Sequence, residues 1–138
     1  MNEIKTEKQI ERDFYALIKQ NTLGSEIRGT VYRDGYRPDD AKTEDLVVKF
    51  LAGLDEQIQS GVIIINIYVP DVLYSKTGRK VEDLPRVEYL ESLIQDFIKN
   101  NGDTEYLMET DGSPASSAIE GIDQHQIFAR IKFNRLAQ

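Results

Sequence analysis

Eight consecutive residues constrain this chain most: Val62-Ile63-Ile64-Ile65-Asn66-Ile67-Tyr68-Val69. The run is dominated by β-branched side chains, which lose rotamer freedom in a helix and pack well on a pleated strand. Side chains alternate along a strand, so Ile63, Ile65, Ile67 and Val69 share one face, and Val62, Ile64, Asn66 and Tyr68 share the other. Both faces are mainly apolar, so the strand is expected at the centre of a sheet or covered on both sides. Pro70 lacks an N–H and closes it.

The flanking segments build outward from this strand. Thr6-Glu7-Lys8-Gln9 has the spacing of a capping box, and Ile10, Phe14, Leu17 and Ile18 then form one apolar stripe. They predict a helix that Gly24 ends at the latest. Arg28–Arg33 is a short β-favouring run before the turn signal Asp34-Gly35, and Arg37-Pro38-Asp39-Asp40 reads as a loop. Glu44–Leu54 fits two patterns: Leu46, Val47, Phe50, Leu51 and Leu54 suit a helical face, and Leu46, Val48 and Phe50 suit a strand. The adjacent strand favours a hairpin across a turn near Gly53-Leu54-Asp55-Glu56.

Asp71–Glu82 reads as a polar loop containing Thr77-Gly78. Asp83 can cap a second helix with Pro85 in its first turn, carrying Val87, Leu90, Leu93, Ile94, Phe97 and Ile98 at helical spacing. Asn100-Asn101-Gly102 stops it, and Thr104–Glu109 can form a strand. Asp111–Asp123 holds glycines, serines and a proline and is expected to be a flexible loop. Gln126–Asn134 alternates, with Ile127, Ala129, Ile131 and Phe133 on the buried side. The expected fold is α+β: residues 1–138 as one domain, a mixed or antiparallel sheet with two helices packed on it, in the order α-β-β-β-α-β-β.

Composition limits the function classes. Lys and Arg total 17 against 24 Asp and Glu, a net charge of −7, which argues against a basic nucleic-acid module. The chain has no cysteine, which removes disulfide scaffolds, thiol catalysis and Cys-ligated metals. No apolar run approaches bilayer length, and the polar start Met1-Asn2-Glu3-Ile4-Lys5 leads us to expect no signal peptide.

Chemistry-bearing motifs are few. The single histidine, His125, reads as an exposed residue at the start of the last strand. Asp39-Asp40 and Glu44-Asp45 are adjacent pairs, and neighbours on a strand point apart, so neither is a ready two-carboxylate site. No phosphate-cradling glycine motif and no nucleophile elbow around Ser113, Ser116 or Ser117 occurs. Seven tyrosines are spread along the chain, and Arg28, Arg33 and Arg37 cluster around the short β run. No catalytic, cofactor-binding or metal-ligating residue is expected.

Gly29–Pro38, followed by Thr43–Val48 and Gln59–Pro70, resembles small structural proteins of tailed phages and prophages. The helix–strands–helix–strands order, covering most of the chain, is similar to tail-terminator and head–tail completion proteins. The resemblance implies a non-enzymatic virion component without a cofactor. Such proteins close the head-proximal end of the tail tube as a ring, usually a hexamer, and meet the neck. Its partners would be copies of itself and tail-tube or neck proteins, with no sequence-specific nucleic-acid binding and no membrane. Its place would be the bacterial host cytoplasm during assembly, then the virion. The Asp111–Asp123 loop departs from that pattern.

A ring needs two different patches per subunit, which sheet edges and loops can provide. The candidate subunit interface is Arg28, Tyr32, Arg33, Tyr36, Arg37, Asp39 and Asp40, with the arginines facing Asp39, Asp40, Glu44 or Asp45 of the next subunit. The alternative reading is a small intracellular binding or regulatory domain of a mobile element.

Overall fold

The computed structural model describes residues 4–54, 58–100 and 104–136. Its elements run α1 (Glu7–Gln20), α2 (Thr22–Glu26), β1 (Val31–Arg33), β2 (Asp45–Leu54), β3 (Ile58–Pro70), β4 (Val72–Tyr74), β5 (Arg79–Val81), α3 (Leu84–Lys99), β6 (Tyr106–Thr110), β7 (Ala115–Ala118) and β8 (Gln124–Leu136). The main sheet has the order β1-β2-β3-β8-β6, and β7 pairs with the other half of β8. β1 is parallel to β2 and every other pairing is antiparallel. The fold is α+β with a mixed sheet, as expected.

β3 holds the central place its composition demands, between β2 and β8. Rows such as Leu46–Ile67–Ile127 and Phe50–Ile63–Ile131 run across these three strands on one face. That face is buried together with Ile10, Phe14 and Ile18 of α1 and Val87, Leu90, Ile94 and Phe97 of α3. The opposite face follows Val47–Asn66–Phe128 and Lys49–Ile64–Arg130, and Phe128 there is 40% exposed. Part of this face is covered as well: Val47 and Ile64 are buried there, and Arg37 stacks over the Tyr68 ring, so β3 is central and covered on both sides over part of its length.

The helix starts follow the sequence signals. Thr6 accepts from the Gln9 N–H, and the Gln9 side chain accepts from the Thr6 N–H. Asp83 caps α3 by accepting from the Arg86 N–H. The run Glu44–Leu54 resolves to strand β2, with a bulge between Phe50 and Ala52. Asp55 and Glu56 of the expected hairpin turn, and Asn101 and Gly102 of the expected helix stop, lie outside the described residues.

Three expectations need correction. Gly24 does not simply end the first helix; it sits inside α2. There its α-carbon lies so close to the Ile18 carbonyl that a Cβ would meet the oxygen at 2.1 Å. The Asp71–Glu82 loop contains the hairpin β4–β5, whose turn uses Gly78 at φ +70°. The Asp111–Asp123 loop contains β7, which pairs Ala115–Ala118 with His125–Phe128. Together β6 and β7 form one broken strand along β8, and Pro114, which cannot donate to a ladder, falls in the break.

A polar clamp ties the start of the chain to this end of the sheet. Lys5 Nζ bridges Asp13 and Glu105 at 2.6 and 3.0 Å, Arg135 also binds Glu105, and the Tyr106 hydroxyl donates to Asp13. Burial pushes the Tyr106 phenol well above its ordinary range, and the bond to Asp13 adds to this. Burial alone would lower the Lys5 pKa and raise that of Glu105, but their mutual bonds and the neighbours Asp13 and Arg135 reverse both directions.

The sign for stability follows. The Glu105 contribution is present above its unfolded pKa, about 4.3, and is lost as pH falls through its lower folded value. The Lys5 contribution is present below about 10.4 and is lost as pH rises through its higher folded value. In urea denaturation across pH, the stability gap between wild type and Lys5→Met should therefore shrink below about pH 4 and above about pH 11. A gap independent of pH would show that the clamp contributes only packing.

Candidate functional site

Two features distinguish this molecule: its sheet edges and the exposed part of the sheet face away from the helices. The expected interface residues lie on and after β1, and the structure divides them.

Arg33 reaches back to α1, where Nε meets Glu11 Oε1 at 2.9 Å and Nη2 donates to the Lys8 carbonyl. Glu11 is 3% exposed, so this pair is part of the fold. Arg37 is held more fully. Its guanidinium stacks over the Tyr68 ring at 3.9 Å and pairs with Asp45 at 2.9 Å. It also donates to the carbonyls of Ala41 and Thr43. The carboxylates expected on a neighbouring subunit are likewise engaged within the chain. Asp45 binds Arg37, Thr43 and the Thr30 N–H, and Glu44 takes both Arg86 and the Arg28 N–H. Arg33, Arg37, Glu44 and Asp45, expected to meet across a subunit boundary, thus have partners within their own chain. Glu44 and Asp45 do diverge, as adjacent strand residues should.

The other residues stay at the surface. Arg28 is exposed and Tyr32 half-buried, while Tyr36 is 77% exposed. Tyr32 and Tyr36 line a groove of about 660 Å³ beside β1, with Lys8, Glu11 and Tyr15 of α1 forming its other wall. Asp39 and Asp40 are exposed and line a different groove, of about 560 Å³, with Asp71 and Asp123. The cluster expected from sequence is thus split between two surfaces.

β1 is an edge strand. Leu46 donates its N–H to the Thr30 carbonyl and Asp34 donates to the Val48 carbonyl, so residues of even number face β2. Val31 and Arg33 therefore direct their backbone groups away from it, and the Arg33 carbonyl accepts from the Tyr36 N–H. At the other end of the sheet, Leu136 donates to the Glu105 carbonyl and Asp111 to the Arg130 carbonyl, so residues of odd number face β8. Tyr106, Met108 and Thr110 direct theirs outward. Thr104 occupies the Tyr106 groups with its hydroxyl.

His125 is not the exposed residue expected: its Nδ1 lies 2.7 Å from Asp71 Oδ1, and its side chain is 19% exposed. Ser116, expected in a linker, lies in β7 and donates to Glu82. Among the described residues no cluster of His, Asp and Glu is arranged to hold a metal ion, and no helix is long and apolar enough to cross a membrane. What the sequence could not reveal is the outward set on β6, because a strand of mixed residues gives no sign of having a neighbour on one side only.

The fold and these surfaces define an α+β protein with two sheet edges, β1 and β6, and a second sheet face that is partly exposed. No protein-family model matches the chain, and no curated protein matches it either.

Proposed function

We propose that this protein is a non-enzymatic structural component of a phage or prophage tail or neck, assembling into a ring that terminates the tail tube or joins it to the head. The observation that carries this reading is the exposed part of the sheet face away from the helices. It presents Leu107 and Phe128, which are 52 and 40% exposed, in the rows of Asn134 and Asn66. Apolar surface of this kind on a small acidic protein marks a place where another molecule sits. The order of elements, similar to that of tail-terminator and head–tail completion proteins, supports the same reading.

Sedimentation velocity over a range of concentrations, with and without purified tail tubes, tests it. A discrete ring-sized species should appear, either alone or on the tubes. A monomer under every condition would overturn the ring and leave the binding or regulatory domain in its place.

A further inference from the structure

We propose that subunits join edge to edge, β6 of one copy adding to β1 of the next, so that one sheet continues through the assembly. This rests on the ring reading and names its joint.

Three observations meet here. First, the two edges lie at opposite ends of one sheet, so their pairing is head-to-tail and can close a ring. Second, β1 and β2 run together, while β3, β8 and β6 each reverse direction, so β6 runs opposite to β1. A copy placed beside the first by rotation therefore presents an antiparallel partner, which a tight two-strand ladder accepts. Third, both edges present outward backbone groups, Val31 on β1 and Met108 and Thr110 on β6.

The outward groups set the register. Val31 faces Thr110 as a hydrogen-bonded pair and the Arg33 N–H faces Met108, the Arg33 carbonyl already accepting from the Tyr36 N–H, which leaves Tyr32 opposite Glu109 as a non-hydrogen-bonded pair. Faces agree across this joint. Tyr32 lies in the row of Val47 and Glu109 in the row of Lys132, both on the face away from α1 and α3. A shift by two residues puts Tyr32 opposite Leu107 with the same faces matched, at the cost of setting Arg33 against Tyr106, whose groups Thr104 holds.

The chain has no cysteine, so introduced thiols report the joint without background. A non-hydrogen-bonded antiparallel pair brings α-carbons within disulfide reach. Tyr32→Cys with Glu109→Cys, oxidised mildly at a concentration where the wild type sediments as an oligomer, should give a ladder of covalent multimers ending at the ring size. Either single variant should give at most dimers. Tyr32→Cys with Leu107→Cys reads the shifted register, and a ladder from it also supports the edge joint. Lys49→Cys with Glu91→Cys reads a different joint, the sheet face away from the helices against α3 of the next copy.

A wild type that forms the ring while neither edge pair gives a ladder, or while only Lys49→Cys/Glu91→Cys does, overturns the edge joint and leaves the ring standing. A wild type that is monomeric under all conditions overturns both. The variants' circular dichroism and melting should match the wild type, since Tyr32, Leu107 and Glu109 lie outside the core.

Discussion

Phe97→Ala should lower the unfolding free energy by about 3–5 kcal/mol, the range for deleting a buried aromatic ring. Phe97 is fully buried on the stripe of α3 that also presents Leu90 and Ile94 to the sheet. Removing the ring loses its transfer free energy and leaves a cavity that Leu93 and Ile98, fixed on the same helix, cannot fill by a simple rotamer change. Urea denaturation reads this as a fall in midpoint at unchanged slope. A loss below about 1 kcal/mol would mean that α3 is not seated in the core.

Asp45→Ala should be comparably severe, about 3–5 kcal/mol, for an electrostatic reason. Asp45 is fully buried and accepts from the Thr30 N–H, the Thr43 hydroxyl and Arg37 Nε. Deleting the carboxylate leaves the Arg37 guanidinium, whose side chain is only 11% exposed, without its counter-ion. Asp45→Asn keeps the shape and one acceptor oxygen, so its loss should be smaller. Equal losses in the two variants would show that shape, not charge, holds the site. The same contacts change how charge reversal at the β1 region must be read. Arg37→Glu sets a carboxylate against buried Asp45 and weakens the fold itself, whereas Arg28 is exposed and its reversal probes the surface alone.

The parts legible in the sequence are those where one periodicity runs long enough to average out exceptions. The α1 and α3 stripes, the apolar run of β3 and the alternation of β8 all exceed two turns or three pleats and are found where expected. The missed elements are short. α2 has five residues and contains a glycine, and β4 and β5 have three residues each and bury almost nothing. β7 is Ala-Ser-Ser-Ala, which carries no hydrophobic signal and is a strand because β8 offers it a ladder.

The candidate site was half legible for a related reason. Sequence neighbourhood brought Arg28, Arg33 and Arg37 together, but the partners of Arg33 and Arg37 are Glu11 and Asp45, chosen by the packing of α1 on the sheet and by the path of the loop before β2. Local pattern carries no information about which carboxylate waits at the end of a long side chain.

The position of β8 sets when this protein can fold. It follows every other described element in chain order, yet it lies inside the sheet, with β3 along one side and β6 and β7 along the other. During synthesis β6 and β7 have no neighbour to pair with, and Ile63, Ile65 and Ile67 of β3 lack the row of Ile127, Ala129 and Ile131 beside them. The nascent chain therefore holds an incomplete apolar layer until β8 leaves the ribosome, the interval in which an unpaired β3 is most open to aggregation or to chaperones.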